Sequence, residues 1–215
     1  MATSSSTPRR KKGSASPQAA ARDAFRDSLR KAAERVFIAK GFGSLKMTDI
    51  AAEAGVGVGT IYNYFADKQA VFEAVFEAHT QEFDALLERA VAGKSALAQL
   101  EALVHGSLEY LEENGALVAL FEERGGVGEL DIERLAGKRM AQGYERYLRL
   151  LETAVAAAVD AGELRSDIPV SALVAALSGA RNGAIYAWLK GRRRQRLQTL
   201  ADHILELFLS GARAR

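Results

Sequence analysis

Three glycines in one short stretch of the chain raise the question of phosphate binding. The stretch spans residues 54–65 and reads AGVGVGTIYNYF, with glycines at Gly55, Gly57 and Gly59. Glycine-rich loops cradle nucleotide phosphates when they follow a strand in a GxGxxG pattern. Here the spacing is GxGxG, and the preceding residues, TDIAAEAG, favour a small helix over a strand. The stretch therefore does not predict a dinucleotide-binding loop.

A helix-turn-helix motif explains the same residues better. We predict short helices over residues 47–54 and 58–65, with Gly55 in the left-handed turn between them. The second helix of such a motif places its N-terminal residues in the major groove of DNA. The phosphate that this stretch approaches is then the phosphate of a DNA backbone.

The elements that must position this motif are helical almost throughout. Apolar residues recur with a helical period, and no proline occurs between positions 17 and 169. Asp67 is expected to cap one helix, and Pro169 suits the first turn of another. Besides the two short helices, we predict helices over residues 22–40, 68–91, 95–113, 115–124, 130–161, 169–190 and 193–210. The fold class is therefore all-α.

Composition divides the chain into a tail and two helical parts. Residues 1–21 are rich in serine, carry the basic run RRKK at 9–12 and lack the apolar segment of a secretory signal. We expect a disordered basic tail there, which either reaches along DNA or remains solvated. Residues 22–67 contain the helix-turn-helix motif, and residues 68–215 form the second part.

Charge and residue usage argue against several other classes of protein. The net charge is only +2, so affinity for nucleic acid requires clustered charge. The chain has no cysteine, which excludes disulfides and thiolate metal sites and fits a cytoplasmic location. The three histidines, His79, His105 and His203, form no metal-binding pair. No apolar run approaches the ~18 residues of a membrane span. We expect no enzyme activity, no cofactor, no metal and no membrane association.

The motif resembles the DNA-binding segment of the TetR family of bacterial repressors. That family's pattern is roughly D-I-A-x-x-A-G-V-S-x-G-T-[LI]-Y-x-[HY]-F-x-x-K-x-x-L. The chain matches it at Asp49, Ile50, Ala51, Ala54, Gly55, Val56, Gly59, Thr60, Ile61, Tyr62, Tyr64, Phe65 and Lys68. The likeness covers residues 23–83, with the motif itself at 46–65.

The resemblance implies a homodimeric regulator of transcription. Its N-terminal domains would bind a palindromic operator, and residues 68–215 would form a helical ligand-binding and dimerisation domain. A small-molecule effector would bind there and release the DNA. The last two long helices would form the dimer interface, with apolar stripes at Leu173, Val174, Leu177, Ala180, Leu197, Leu200, Ile204 and Phe208.

The resemblance and the motif together predict the DNA contacts. The expected residues are Lys46, Thr48, Gly57, Val58, Gly59, Thr60, Tyr62, Asn63, Tyr64 and Lys68. Gly57 stands where the family often has serine, and Val58 where it often has a polar residue. Both limit direct base reading, because valine offers only apolar contact. A helical adaptor that has lost DNA binding therefore remains an alternative.

The effector site is harder to predict from the sequence. Candidates are the aromatic and polar residues Tyr110, Phe121, Tyr144, Tyr147, Arg181, Asn182 and Trp188. Packing in the core or at the dimer interface is the competing interpretation for each of them. The basic run at 190–196, KGRRRQR, is either a solvated loop or a further contact to the DNA backbone.

Overall fold

The part of the chain that is described is built from helices. The computed structural model describes residues 16–123, 133, 137–191 and 196–213, except for the side chains of residues 121 and 122. Strand structure within these residues is limited to a single bridge between Leu164 and Arg213. The helices are α1 Pro17–Ser44, α2 Met47–Ala54, α3 Val58–Tyr62, α4 Lys68–Val91, α5 Ala96–Glu113, α6 Gly115–Glu123, α7 Lys138–Asp160, α8 Val170–Lys190 and α9 Leu197–Ala212. The all-α prediction is confirmed.

Helix α1 begins earlier than the sequence pattern predicts. The Ser16 hydroxyl accepts a hydrogen bond from the Ala19 amide at 3.2 Å, and Pro17 occupies the first turn. The prediction that the disordered tail continues to residue 21 is therefore wrong for residues 17–21. The tail run at 9–12 lies outside the described residues. The helix breaks near its predicted end, because Gly41 adopts φ 71° and ψ 168°.

Helix α3 is shorter than predicted, and it ends at Tyr62. The chain turns after it, yet Ile61 and Phe65 are both buried. Asp67 caps α4 as predicted, since its carboxylate accepts a hydrogen bond from the Ala70 amide at 2.8 Å. Pro169 lies one position before the first turn of α8, as its N-cap residue.

The buried side chains form two clusters. The N-terminal core combines residues of α1–α3 with Val71, Phe72 and Phe76 of α4 and with Leu117 and Leu120 of α6. The C-terminal core is formed by the second half of α4 together with α5, α7, α8 and α9. Helices α4 and α6 therefore contribute to the packing of the helix-turn-helix motif as well as to the rest of the chain.

The two C-terminal helices pack against the rest of their own chain. Three residues predicted at the dimer interface, Leu173, Leu177 and Leu197, are buried in the C-terminal core instead. Periodicity identifies the apolar face of a helix but not the chain that covers it. Among the described helices, none combines the length and the apolar character that a membrane crossing requires.

Candidate nucleic-acid interface and effector site

The turn between α2 and α3 has the geometry of a helix-turn-helix motif. Gly55 ends α2 with φ 68° and ψ 31°, the left-handed conformation that glycine adopts without strain. The Val56 amide then donates a hydrogen bond to the Ala51 carbonyl at 3.0 Å. Ile50 and Ile61 are fully buried and hold the two helices together. The role predicted for Gly55 is confirmed.

The outer face of α3 is open. A methyl group added at Gly57 or Gly59 would meet no atom within 4 Å, and Val58 between them is 39% exposed. Gly57 has φ −69°, so the turn does not require glycine at this position. The small residues therefore leave the backbone at the start of α3 accessible to a large partner.

The polar residues that follow do not share one environment. Tyr62 is 53% exposed and Asn63 is exposed, whereas Thr60 is half-buried. The ring of Tyr64 packs on Phe25 of α1, with a distance of 5.4 Å between ring centroids. Tyr62 therefore presents its hydroxyl to solvent, while Tyr64 also supports the packing of α1 on the motif.

The start of α2 combines exposed and capped groups. Lys46 and Thr48 are both exposed. The Lys46 amide donates a hydrogen bond to the Asp49 carboxylate at 2.9 Å, which ties the residue before α2 to the first turn of the helix. The Lys40 ammonium donates a hydrogen bond to the same carboxylate and, together with the Lys46 amide, holds the pKa of Asp49 below its usual range. The side chain of Lys46 remains exposed at the start of α2.

Lys68 has a partner inside the protein. Its ammonium donates a hydrogen bond to the carbonyl oxygen of Phe42 at 2.7 Å, across the junction between α1 and α4. The side chain is half-buried at the start of α4. This tether is a role that the sequence pattern alone does not predict.

Two further cations lie near α3 that sequence reasoning did not select. The guanidinium of Arg22 stands 5.7 Å from the ring centroid of Tyr64, and that of Arg26 stands 5.0 Å from the ring centroid of Phe65. Both residues are exposed on α1. Their spacing of four residues could have indicated this in the sequence, because it places both arginines on one face of a helix.

Four of the predicted effector-site residues come together in the C-terminal domain. The Asn182 amide donates a hydrogen bond to the Tyr144 hydroxyl at 3.1 Å, and the Asn182 carbonyl oxygen accepts one from Arg181 at 3.0 Å. The Arg181 guanidinium stands 4.6 Å from the ring centroid of Tyr147. Helices α7 and α8 therefore carry one connected polar cluster.

The other three candidates lie elsewhere or outside the description. The Tyr110 hydroxyl donates a hydrogen bond to the His79 carbonyl at 2.9 Å, and burial raises the pKa of Tyr110 well above its usual value. His79 also lies 3.0 Å from the Glu34 carboxylate of α1. Trp188 is buried in the C-terminal core. The side chain of Phe121 is outside the described residues.

The remaining predictions concern metals and the second basic run. Among the described residues, no group of three or more histidine, aspartate or glutamate side chains is arranged to hold a metal ion. In the basic run, residues 192–195 lie outside the description, and the Arg196 guanidinium pairs with Glu112 at 3.4 Å. That pairing draws one end of the run towards α5.

Comparisons with known proteins agree with this geometry. The family model described as "Bacterial regulatory proteins, tetR family" matches residues 29–75. A "Fatty acid metabolism regulator protein" of Bacillus subtilis (strain 168) is 26% identical over 183 residues, which is 84% of this chain and 91% of that protein. The "HTH-type transcriptional repressor KstR2" of Rhodococcus jostii (strain RHA1) is 24% identical over 191 residues, 86% of this chain and 90% of that protein.

A solved structure shows the same fold. The transcriptional regulator FadR from Bacillus subtilis, crystallised with stearoyl-CoA, superposes with a TM-score of 0.72 at 22% identity. The match covers 86% of this chain and 98% of that one. The similar proteins are regulators of transcription and not enzymes, in agreement with the sequence prediction.

Proposed function

We propose that the chain is a ligand-responsive repressor of transcription, since residues 29–75 match the model of the tetR family of bacterial regulatory proteins. It binds a palindromic operator as a homodimer and leaves the DNA when a small-molecule effector binds. The observation that carries this proposal is the helix-turn-helix motif, whose α3 presents an open face with Tyr62 53% exposed. Helix α3 is the element that enters the major groove.

The proposed DNA contacts fall into two groups. Contacts to bases come from the outer face of α3, at Gly57, Val58, Gly59, Thr60 and Asn63. Contacts to phosphates come from hydroxyl groups and cations around it, at Lys46, Thr48, Tyr62, Tyr64 and Lys68. Because Gly57 and Val58 offer no side-chain hydrogen bond, affinity rests heavily on the phosphate contacts.

The proposed dimer interface lies on the outer faces of α8 and α9. Leu207 is 77% exposed and Tyr186 is 51% exposed, while Ile204 and Phe208 are half-buried. A stable homodimer interface buries on the order of 2,000 Å² or more. A dimer of this kind fixes the distance between the two α3 helices, which must match half-sites about 34–36 Å apart.

The proposed effector binds in the C-terminal domain. The similar structure from Bacillus subtilis contains stearoyl-CoA, and a protein of similar sequence from the same organism is named for fatty acid metabolism. Compounds with a long apolar chain are therefore the first to test. The candidate residues are the polar cluster of α7 and α8 and its aromatic neighbours. An effector that favours another spacing of the α3 helices by about 3 kcal/mol weakens operator binding more than a hundredfold.

A gel-shift assay tests the proposed function. The full chain is titrated into DNA from around its own gene and into scrambled DNA of the same length, while light scattering gives the oligomeric state. We expect a dimer with specific binding that Tyr62→Ala weakens and the distant exposed substitution Arg149→Met does not. A monomer at micromolar concentration, or equal binding to both DNAs, contradicts the proposal.

A further inference from the structure

Arg181 of α8 is a buried cation with neutral partners. The residue is only 4% exposed. Its Nε donates a hydrogen bond to the Ser107 hydroxyl at 2.8 Å, and its Nη1 donates one to Oδ1 of the Asn182 side chain at 3.0 Å. Among the described residues, no carboxylate lies within 4.0 Å of the guanidinium, whereas Arg30, Arg35 and Arg139 each pair with one.

Within the described part of the chain, this arrangement leaves the positive charge without a counter-ion. Buried arginines are normally paired with an anion, because hydrogen bonds to neutral groups and the face of an aromatic ring compensate only part of the desolvation cost. Ser107 already donates its hydroxyl proton to the Val104 carbonyl at 3.0 Å. Nη2 of Arg181 makes no hydrogen bond within the described part of the chain, so one side of the guanidinium fork is available.

Tyr147 of α7 supplies a second, independent sign of a missing ligand. The residue is completely buried, and its hydroxyl oxygen has no hydrogen-bond partner among the described residues. Buried hydroxyl groups are almost always satisfied in folded proteins. The ring of Tyr147 is the one that lies under the Arg181 guanidinium, with 4.6 Å between the guanidinium carbon and the ring centroid. The Tyr147 hydroxyl and the Nη2 group of Arg181 therefore belong to one site.

We propose that Arg181 and the Tyr147 hydroxyl bind the carboxylate end of an apolar, chain-like effector. The inference rests on the proposed function and specifies the chemistry of its ligand. A carboxylate matches the planar guanidinium fork and carries the single negative charge that one arginine neutralises. Tyr147 belongs to the C-terminal core, in which Leu151, Val155 and Leu177 are also fully buried, so the rest of the ligand is expected to be hydrocarbon.

Trp188 provides a direct measure of binding. It is the only tryptophan of the chain, it is 6% exposed, and it follows Arg181 by two turns on α8. The full-length protein is titrated with dodecanoate, with its uncharged methyl ester and with dodecanoyl-CoA, while the Trp188 emission is recorded. We expect dodecanoate to bind at least about tenfold more tightly than the methyl ester. Equal affinity of acid and ester overturns the proposal without any substitution.

Variants separate an anchoring role from a structural one. Arg181→Met keeps most of the side-chain volume and removes the charge, and Tyr147→Phe removes only the hydroxyl group. Both are expected to weaken dodecanoate binding about tenfold and to leave methyl dodecanoate unaffected. Arg149→Met, at an exposed position on α7, is the matched control. Tyr147→Phe should also keep the melting temperature or raise it, since the lost hydroxyl has no hydrogen-bond partner among the described residues.

The remaining outcomes are equally decisive. If Arg181→Met does not fold, Tyr147→Phe and the ligand series on the unaltered protein carry the test. If dodecanoyl-CoA binds more tightly than dodecanoate and Arg181→Met abolishes that preference, the anchored group is a phosphate and the carboxylate proposal is wrong. If dodecanoate binds through Arg181 but operator affinity does not change, the proposed release from DNA fails while the anion site stands.

Discussion

The ammonium of Lys68 lies over the ring of Phe42, with Nζ 4.4 Å from the ring centroid, and donates a hydrogen bond to the carbonyl of the same residue. One side chain at the start of α4 thus holds the segment that leads from α1 to α2. The ammonium retains further donors for a DNA phosphate. Lys68 therefore connects the position of the motif to the first turn of α4.

Removing this tether is expected to affect both folding and DNA binding. Lys68→Ala should lower the free energy of unfolding by about 1–2 kcal/mol, because it removes a charge-assisted hydrogen bond and a cation–π contact. It should also make the slope of log K against log salt shallower by about 1, the share of one phosphate contact. Urea unfolding and operator titrations at several salt concentrations measure the two effects. The exposed Lys94→Ala is the control, and an unchanged salt slope contradicts the phosphate role.

The glycines of the GVGVG stretch are expected to differ in their sensitivity to substitution. Gly55→Ala should destabilise the protein by about 1–2 kcal/mol, because φ is 68° at that position. Gly57→Ala should change stability by less than about 0.5 kcal/mol, since φ is −69° and the added methyl group meets open space. Thermal unfolding of both variants measures the contrast. Equal losses from the two variants would refute the turn geometry as the cause.

Tyr62 and Tyr64 are expected to differ in how much each side chain contributes to the stability of the fold. Tyr62→Phe should weaken operator binding by about 1 kcal/mol, one net hydrogen bond, without changing the preference between sequences. Tyr64→Ala should weaken operator binding and also lower stability by about 1–2 kcal/mol, because its ring packs on Phe25. Binding and unfolding are measured for both variants. A large stability loss from Tyr62→Phe, or a shift in its site preference, is the contrary result.

The hydrogen bond between Glu34 of α1 and His79 of α4 predicts a dependence of stability on acid. A hydrogen bond from His79 holds the pKa of Glu34 below its ordinary value of 4.5. The carboxylate therefore stabilises the folded state above that value, and the contribution disappears as the pH falls through the lowered pKa. Glu34→Gln should cost on the order of 1 kcal/mol at neutral pH and progressively less in acid.

Unfolding free energies of the unaltered protein and of Glu34→Gln, measured from about pH 7 down to about pH 3.5, test this dependence. The other acidic groups are common to both proteins, so their effects cancel in the difference. Glu152→Gln, at an exposed position on α7, should show no such difference. A gap between the unaltered protein and Glu34→Gln that stays constant with pH would exclude the ionised carboxylate as its source.

Local signals in the sequence were sufficient for the motif and most helices. The spacing of apolar residues located α2 and α4, Gly55 marked the turn, and Asp67 marked a cap. All of these are interactions between residues close together in the chain, which periodicity and turn chemistry report directly. The early start of α1 was not predicted, because Ser16 lies in a serine-rich basic segment that was interpreted as a disordered tail.

Contacts between distant parts of the chain were not predictable in the same way. Leu173 and Leu177 were correctly recognised as part of an apolar stripe, but both side chains are buried within their own chain. The approach of Arg181 to Tyr147 depends on the relative rotation of α7 and α8, which no local pattern encodes. The hydrogen bond from Lys68 to Phe42 likewise depends on the position of the end of α1 relative to α4.

Leu117 and Leu120 of α6 fill part of the core on which the DNA-reading motif is built. A chimera that joins residues 17–67 to the C-terminal helices of another regulator would replace these two leucines with whatever the new α6 carries. An exchange of DNA-binding domains between such proteins therefore needs an α6 with side chains of similar size at these two positions. Otherwise a cavity remains in the core of the transferred domain. Substituting only the exposed residues of α3 avoids this incompatibility, because those side chains are not part of the core that Leu117 and Leu120 fill.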